Sequence, residues 1–469
     1  MAKFESDGGT RDPSYGEDDQ IIVDIDSLTS SVESMMSQNL IMFAKCCIFR
    51  VPPILRRHRP IAYIPNAFSI GPWHRDLHPL MQSTEKIKLQ YLKNLLSPES
   101  KSGVTLKELF ESTMAIEKEA RSCYAERIDV GVEDFVKLLV IDGCFLIELF
   151  RKYDHIFYMS SLQEDDDPIF NMSCMMQYLQ HDLILVENQI PWLVLEHLFN
   201  KTSAKQSTQA KEKTLAQLAL QFFANIFSSK PHNTDTPYDG TKHLLDLLRN
   251  WLVKSSGNDE DVDETPSDGT NHLLDLLRNW LVKSSGNDED VETMPSATDL
   301  VDAGINLKVS DSKQTRSILD VKFNNGSLEM PSLLIQETTE VIIRNLISYE
   351  QCSPQCDDRI TSYAILLDNL INTTKDMDIL TSSGIINNWL NPEEATQFFN
   401  KLYHDAYLKE YYYLKLCQKV NKYSQLSCPR WRALLMRNYF GTPWAIVSII
   451  AATTLLILTI VQTIFTVMN

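Results

Sequence analysis

The strongest constraint on this chain is its C-terminal apolar run, Trp444 to Met468, which reads WAIVSIIAATTLLILTIVQTIFTVM. No Asp, Glu, Lys or Arg interrupts the run, and Gln462 is its most polar residue. A helix of this length is about 37 Å long, which exceeds the roughly 30 Å hydrocarbon core of a membrane. The run therefore predicts one transmembrane helix over residues 444–468, with the rest of the chain on one side of the membrane.

Basic residues precede this run and suggest an orientation. Residues 400–440 contain eight Lys or Arg residues but only Asp405 and Glu410 as acids. Cations beside a membrane helix mark its cytoplasmic end and attract anionic lipid. We expect a single-pass protein of the plasma membrane or an endomembrane, with a cytosolic body and membrane lipid as a partner. The expected anchor residues are Trp444, Ile449, Leu455, Leu456, Ile460 and Ile464, and the expected juxtamembrane basic residues are Arg430, Arg432 and Arg437.

The charge of the whole chain limits its partners. The formal net charge is −18, and an acidic chain repels nucleic-acid phosphates. Residues 1–26 are polar and acidic, which predicts disorder and does not match a secretory signal peptide. The nine cysteines are irregularly spaced, as expected in a reducing compartment.

Apolar periodicity predicts a mainly α-helical fold, with one large helical domain over residues 27–440 and a small antiparallel β-sheet within 305–335. The run 132–152 is apolar nearly all round, so we expect it at the centre of the core. Residues 46–73 contain five prolines and predict an ordered extended segment across the domain surface. The predicted helices are 27–42, 84–96, 106–128, 132–152, 174–199, 213–227, 338–350, 357–373, 376–387, one from Asn391, 398–424 and 429–439; the predicted strands are 305–310, 317–323 and 327–335.

A tandem duplication interrupts this pattern. Residues 236–264 and 265–293 repeat with a period of 29, and the block HLLDLLRNWLVKSSGNDEDV is identical at 243–262 and 272–291. Each unit reads as a short amphipathic helix followed by an acidic loop. Two units are too few for a solenoid. We expect one copy to pack on the core and the other to form an exposed excursion.

No catalytic or cofactor motif in the chain is complete. His74-Arg75-Asp76-Leu77 matches the start of a kinase catalytic loop, but the other kinase elements are absent. His74 and His78 have a spacing that could bind zinc, but Pro72 and Pro79 bracket them and no Glu lies between them, which argues against a metal site. We predict no enzyme, no cofactor and no metal site.

Other residue groups have both a chemical and a structural interpretation. Cys352 and Cys356 have loosely metal-like spacing, or are free thiols. Cys46 and Cys47 are either an acylation site or a buried pair. The basic, aromatic run 409–437 suits a membrane interface better than nucleic acid. Four acids lie near apolar helices and suit either acid/base chemistry or internal hydrogen bonds: Asp142, Glu148, Asp182 and Glu187.

Several runs together resemble a plant family called domain of unknown function 247. They are VPPILR (51–56), IPNAFSIGPWH (64–74), DGCFLIELF (142–150), DLILVENQIPWLVLEHLF (182–199), HLLDLLR (243–249), SATDLVDAGINLKVS (296–310), SYAILLDNLIN (362–372) and GTPWAIVSIIAA (441–452). The resemblance implies a helical plant protein without a known activity or catalytic residues. Some grass members of the family are linked to pollen–stigma self-incompatibility. This chain departs from the family at His74-Arg75, where His-His is common, and in its duplicated HLLDLLR.

These observations predict a non-catalytic, membrane-anchored recognition or signalling component with an unknown protein partner. The alternatives are a membrane-tethered enzyme with an unfamiliar site and a scaffold on a lipid surface. An enzyme would need converging polar groups in a pocket, whereas a recognition protein would need an exposed apolar or charged patch.

Overall fold

The chain forms two compact units in a computed structural model, Met1–Ala44 and Lys45–Asn469. The structure describes residues 24–37, 46–75, 79–97, 103–157, 167–203, 213–224, 226, 240–255, 293–310, 317–426 and 443–468. In the first unit the described residues form one helix, Ile25–Ser37. All other elements belong to the second unit.

The fold is mainly helical with two small sheets, which confirms this part of the fold prediction. The helices are α1 (Ile25–Ser37), α2 (Pro53–Arg56), α3 (Pro79–Leu95), α4 (Leu106–Ala115), α5 (Glu117–Ser122), α6 (Val132–Phe157), α7 (Ser173–Asp182), α8 (Trp192–Thr202), α9 (Leu215–Phe223), α10 (Leu244–Ser255), α11 (Ala297–Asp302), α12 (Glu337–Cys352), α13 (Arg359–Leu370), α14 (Thr374–Ser382), α15 (Pro392–Phe399), α16 (Leu414–Ser424) and α17 (Pro443–Met468), with a 3-10 helix at Pro60–Tyr63. The strands are β1 (Asn306–Val309), β2 (Lys322–Asn324), β3 (Ser327–Met330), β4 (Leu333–Ile335) and β5 (Ile386–Asn388).

Helix α6 lies at the centre of the core, as its apolar sequence predicts. Helices α3, α4, α5, α8 and α9 pack around it. Phe145 stacks on Phe68 at 5.6 Å and meets Tyr91 edge to face at 5.3 Å. At its C-terminal end, Phe150 and Tyr153 contact Phe222 of α9. Because α6 is enclosed on most of its surface, Asp142 near its middle is fully buried and needs partners inside the protein.

Several predicted helices end earlier than their apolar periodicity suggested. The helix predicted over 376–387 stops at Ser382, and Ile386–Asn388 instead forms β5. Gly384 has φ +76°, a conformation that ends helices and that glycine adopts without steric penalty. The chain after it then pairs in parallel with β4. The run 398–424, predicted as one helix, is also divided. Helix α15 ends at Phe399, and the next helix, α16, begins at Leu414.

The three-stranded sheet of β1, β3 and β2 is mixed, so the prediction of an antiparallel sheet is only half right. The hairpin of β2 and β3 is antiparallel around Asn325 and Gly326, whose φ values of 49° and 76° suit a tight two-residue turn. However, β1 pairs with β3 in parallel. Strand β2 runs opposite to β1, and the tight turn after it reverses the chain again, so β3 runs in the same direction as β1.

The expected transmembrane helix is not supported. Residues Pro443–Met468 do form one helix, but no helix within the described residues is both long and apolar enough to cross a membrane. A crossing requires about 20 consecutive apolar residues. The hydroxyl groups of Thr454, Thr459 and Thr463 lie along this helix, and each donates to the carbonyl oxygen four residues earlier. The prediction of a C-terminal transmembrane helix is therefore wrong.

Candidate functional site

The proline-rich residues 46–74, which we call the strap, form the most unusual feature of the second unit. The strap begins buried, where the Cys47 and Ile48 amides both donate to the Cys123 carbonyl oxygen at 2.8 and 3.0 Å. Its middle, which includes α2 and the 3-10 helix, is largely exposed, and residues 67–71 are buried again. Because the strap contains little regular structure, its buried amides need acceptors from elsewhere in the fold.

Asp182 supplies the largest share of these acceptors. It lies at the C-terminal end of α7 and is completely buried. One carboxylate oxygen accepts the Asn66 amide at 2.7 Å, and the other accepts the amides of Ala67 and Phe68 at 2.8 Å each. The carboxylate thus holds three successive backbone N–H groups. Charge-assisted bonds of this kind are stronger than bonds between neutral groups.

Two further side chains continue the row of acceptors. Asn188 accepts the Ile70 amide at 2.6 Å and donates to the Phe68 carbonyl oxygen at 2.9 Å. Asp142 of α6 accepts the Gly71 amide at 2.9 Å. Gly71 has φ +79°, and a Cβ there would lie 2.5 Å from the Gln189 carbonyl oxygen. The close contact of this turn with the loop after α7 therefore requires glycine.

A lysine completes the surroundings of Asp142. Lys88 of α3 has no exposed side-chain surface, and its Nζ lies 2.8 Å from Asp142 and 2.6 Å from Glu85. It also donates to the Ser69 carbonyl oxygen. Two opposite charges removed from water cost free energy unless they are paired and hydrogen-bonded. Here the pair links α3, α6 and the strap.

Glu187 binds the first half of the strap. Its carboxylate accepts a hydrogen bond from the Val51 amide at 2.7 Å and forms an ion pair with Arg56. The Nε2 atom of His74 lies 3.5 Å from its other oxygen, and an Arg50 guanidinium nitrogen lies 3.8 Å away. Burial raises the pKa of Glu187, but the nearby His74 ring and hydrogen bonds from Arg56 and the Val51 amide outweigh burial and lower the pKa from 4.5 to about 2.

This lowered pKa predicts acid sensitivity. A carboxyl whose pKa is lower in the folded state stabilises the protein fully above its unfolded pKa, and this stabilisation is lost as pH falls toward the folded value. We expect Glu187 to contribute about 2–3 kcal/mol near neutral pH, and to lose this contribution between pH 4.5 and about 2.

The measurement is urea unfolding between pH 2.5 and 7 for wild type and Glu187→Gln. The variant should be less stable at pH 7, and its free energy of unfolding should fall less steeply below pH 4.5. Glu111→Gln is the matched control, because the Glu111 side chain is 67% exposed. Parallel curves for wild type and Glu187→Gln would contradict the prediction.

A second buried network lies where α10 meets the strap. The His243 ring lies 2.9 Å from the Cys47 carbonyl oxygen, and burial lowers its pKa to about 4. Asp246 accepts the Tyr349 hydroxyl at 2.8 Å. Arg249 lies 3.3 Å from Glu350. Burial raises the pKa of Glu350, although Arg249 and the amides of Ile360 and Thr361 at the start of α13 oppose this shift.

The structure places the predicted site residues in different parts of the chain. Asp142, Asp182, Glu187 and His74 come together along the strap. Residues Asp76, Leu77 and His78 lie outside the described residues, as do Arg430, Arg432 and Arg437, so the absence of a zinc site at His74 and His78 and the juxtamembrane role of the arginines stay predictions. Of the predicted anchor residues, Leu455, Leu456, Ile460 and Ile464 are exposed on α17; Trp444 and Ile449 belong to the same helix.

The cysteine pairs have the structural interpretation, and the basic, aromatic run contains at least one buried tyrosine. Cys46 and Cys47 are both buried, and Cys46 Sγ lies 3.6 Å from the Ser122 carbonyl oxygen. Cys356 is buried and Cys352 partly exposed, both as free thiols. Tyr413 is buried and donates to the Leu319 carbonyl oxygen at 2.7 Å.

Sequence reasoning missed the role of Lys88 and Asn188 and the pairing of acids with the strap. Lys88 lies in an ordinary amphipathic pattern, so nothing in the sequence distinguishes it. A signal did exist for the acids. Asp182 and Glu187 flank the apolar run LILV, and a polar group there needs a buried partner. The non-proline residues of the strap supply the matching amides.

Comparisons with known proteins identify the family of this chain. The model of the family DUF247, described as plant protein of unknown function, matches residues 48–458. The chain is 27% identical over 422 residues to UPF0481 protein At3g47200 of Arabidopsis thaliana, covering 89% of this chain and 85% of that protein. It is 22% identical to the putative UPF0481 protein At3g02645 of the same plant, over 93% of each chain. No solved structure matches the chain. The family model covers most of the sequence, and the chain therefore belongs to the DUF247 family of plant proteins of unknown function.

Proposed function

We propose that this protein is a non-catalytic recognition component that binds a protein partner through the exposed middle of the strap. The observation behind the proposal is a run of exposed apolar and basic side chains on a firmly held backbone. Ile54, Ile61 and Ile64 are 51%, 68% and 39% exposed. Single exposed isoleucines are ordinary on protein surfaces, but three within eleven residues of one short segment favour a contact surface.

The basic residues between these isoleucines indicate the chemistry of the partner. Arg57 forms a two-pronged pair with Asp405 at 2.6 and 2.8 Å, and Arg59 lies 3.7 Å from Glu340. Both arginine side chains are 58% exposed, whereas the two acids are 21% and 22% exposed. A guanidinium has five N–H donors, so each arginine retains donors that face solvent. The partner surface should therefore carry apolar side chains beside carboxylates.

The anchoring of the strap supports binding without a large ordering cost. Asn345 of α12 donates to the Ala62 carbonyl oxygen at 2.8 Å, and Tyr63 bonds to Ser348 at 3.2 Å. A segment fixed before binding loses less conformational entropy when a partner docks.

The burial of the acids is a second argument, and it supports a role without catalysis. Asp142, Asp182 and Glu187 are at most 1% exposed, so a substrate would not reach them without opening the core.

The test is proximity labelling in plant cells with the full-length chain. Family members linked to pollen–stigma self-incompatibility make pollen the first tissue to use, and we propose a recognition role there. Ile61→Asp should lose at least one partner by about tenfold or more, since interface hot spots cost 2 kcal/mol or more when removed. Leu89→Asp is the matched control, because Leu89 is 50% exposed on α3, away from the strap in sequence.

A partner lost on Ile61→Asp and retained on Leu89→Asp should then be purified and titrated against both variants. Direct binding weakened by the strap variant alone would support the proposal. Identical partner sets for wild type and Ile61→Asp, with both proteins folded, would reject the strap as the recognition surface.

A further inference from the structure

The groove that holds α10 has several specific polar contacts as well as an apolar lining. The helix inserts six buried apolar side chains, Leu244, Leu245, Leu247, Leu248, Trp251 and Leu252. Around them, His243 contacts the strap, Asp246 contacts Tyr349, and Arg249 contacts Glu350. At the C-terminal end, the Ser317 hydroxyl donates to the Leu252 carbonyl oxygen at 2.5 Å. The groove therefore recognises this helix residue by residue.

The second repeat unit contains every one of these contact residues. Positions 243–262 and 272–291 are identical, so His272, Asp275 and Arg278 stand where His243, Asp246 and Arg249 stand in the first unit. The nearest difference precedes the block, where Lys242 corresponds to Asn271.

The difference at this position affects one surface contact. Lys242 Nζ donates to Gln355 at 2.8 Å in an exposed bond, which an asparagine is too short to copy. Its backbone amide donates to Asp246, and its carbonyl oxygen accepts the Trp192 amide. Both bonds use backbone atoms of residue 242, so any residue except proline, which has no N–H, could form them. The groove thus has almost no means of distinguishing the two units.

The chain connections do not distinguish them either. With α10 in the groove, 20 residues connect it to α9 and 41 connect it to α11. If residues 273–284 took its place, the two connections would have 49 and 12 residues. The entropy of loop closure changes slowly with length, so these alternatives differ by less than about twofold in population. Twelve residues can span up to about 40 Å.

We infer that the groove is a shared binding site for which the two repeat units of the same chain compete. Either HLLDLLRNWLVK segment can fill the groove and complete the core, and each can replace the other. This goes beyond the recognition function proposed above, since it concerns neither the strap surface nor a partner protein.

Substitution of one leucine in each unit tests the inference with the full chain. Leu248 is completely buried, and Leu277 is its counterpart. Leu248→Asp alone and Leu277→Asp alone should both keep a melting temperature within about 3 °C of wild type. The double variant should lose more than about 10 °C or fail to fold, because a charge buried without a partner is strongly destabilising. A single Leu248→Asp variant as damaged as the double variant would overturn the inference, and so would a double variant as stable as wild type.

Hydrogen exchange supplies a direct readout of which unit is bound. The identical units give peptides of equal composition in the wild type, but Leu248→Asp makes their masses different. In this variant, slow amide exchange should appear in 273–284 and be absent from 244–255. A folded Leu248→Asp protein with no protection in 273–284 would exclude replacement by the second unit. Concentration-dependent dimers of this variant would assign the groove to a second molecule and would also overturn the inference.

Discussion

Replacement of Asp182 by alanine should destabilise the second unit by about 3–5 kcal/mol. The carboxylate accepts three consecutive strap amides within 2.8 Å. Alanine would leave the N–H groups of Ala67 and Phe68 without an acceptor in the core, and each such loss typically costs about 1–3 kcal/mol. Urea unfolding monitored by tryptophan fluorescence measures the change.

Two companion variants make this prediction specific. Asp182→Asn retains one acceptor oxygen and nearly the same shape, so we expect roughly half the loss. Asp378→Ala removes an exposed acid from α14 and should change stability by less than about 0.5 kcal/mol. An Asp182→Ala protein within about 1 kcal/mol of wild type would mean that the strap amides find other acceptors.

Replacement of Lys88 by methionine should cost about 3–5 kcal/mol, because it leaves Asp142 charged and buried. Methionine conserves most of the volume of the lysine stem, so the loss reports on the charge and not on a cavity. The Gly71 amide remains as a neutral donor to Asp142, and an Arg75 guanidinium nitrogen remains 3.8 Å away, but neither replaces the direct contact with Lys88 at 2.8 Å.

A double-mutant cycle separates the ion pair from packing. Asp142→Asn removes the charge and keeps an oxygen for the Gly71 amide. The double variant Lys88→Met/Asp142→Asn should therefore be more stable than Lys88→Met alone, since replacing both partners is far less costly than removing one. Strict additivity of the two single changes would show that the pair does not act as a unit.

Local sequence patterns predicted the parts of the fold that depend on local forces. The apolar run of α6, the Asn-Gly turn between β2 and β3, and the cap at Asn391, whose side chain accepts the Glu393 amide at 3.1 Å, are examples. The β5 strand was missed because its partner, β4, lies about 50 residues earlier in the chain. A three-residue strand is too short to show a periodic pattern, and its pairing with a distant strand depends on tertiary context.

The candidate site was predictable to a smaller extent. Hydropathy alone marked Asp142, Asp182 and Glu187 as acids in apolar surroundings, and internal hydrogen bonding was one of the two interpretations. Their shared target was not predictable, because Asp182 and Ala67 are 115 positions apart and backbone amides have no sequence signature. The C-terminal helix shows the opposite failure, in which strong local hydropathy led to a transmembrane prediction that the described helices do not support.

The way the strap is held has an evolutionary consequence. Its acceptors bind main-chain N–H groups, which nearly all amino acids share, so selection can exchange the outward-facing side chains without loosening the attachment. Exposed positions such as Arg59 and Ile61 are free to diversify, whereas Gly71 is not. A lineage could thus generate many binding specificities on one frame, and substitutions among relatives should concentrate at the exposed residues 57–61.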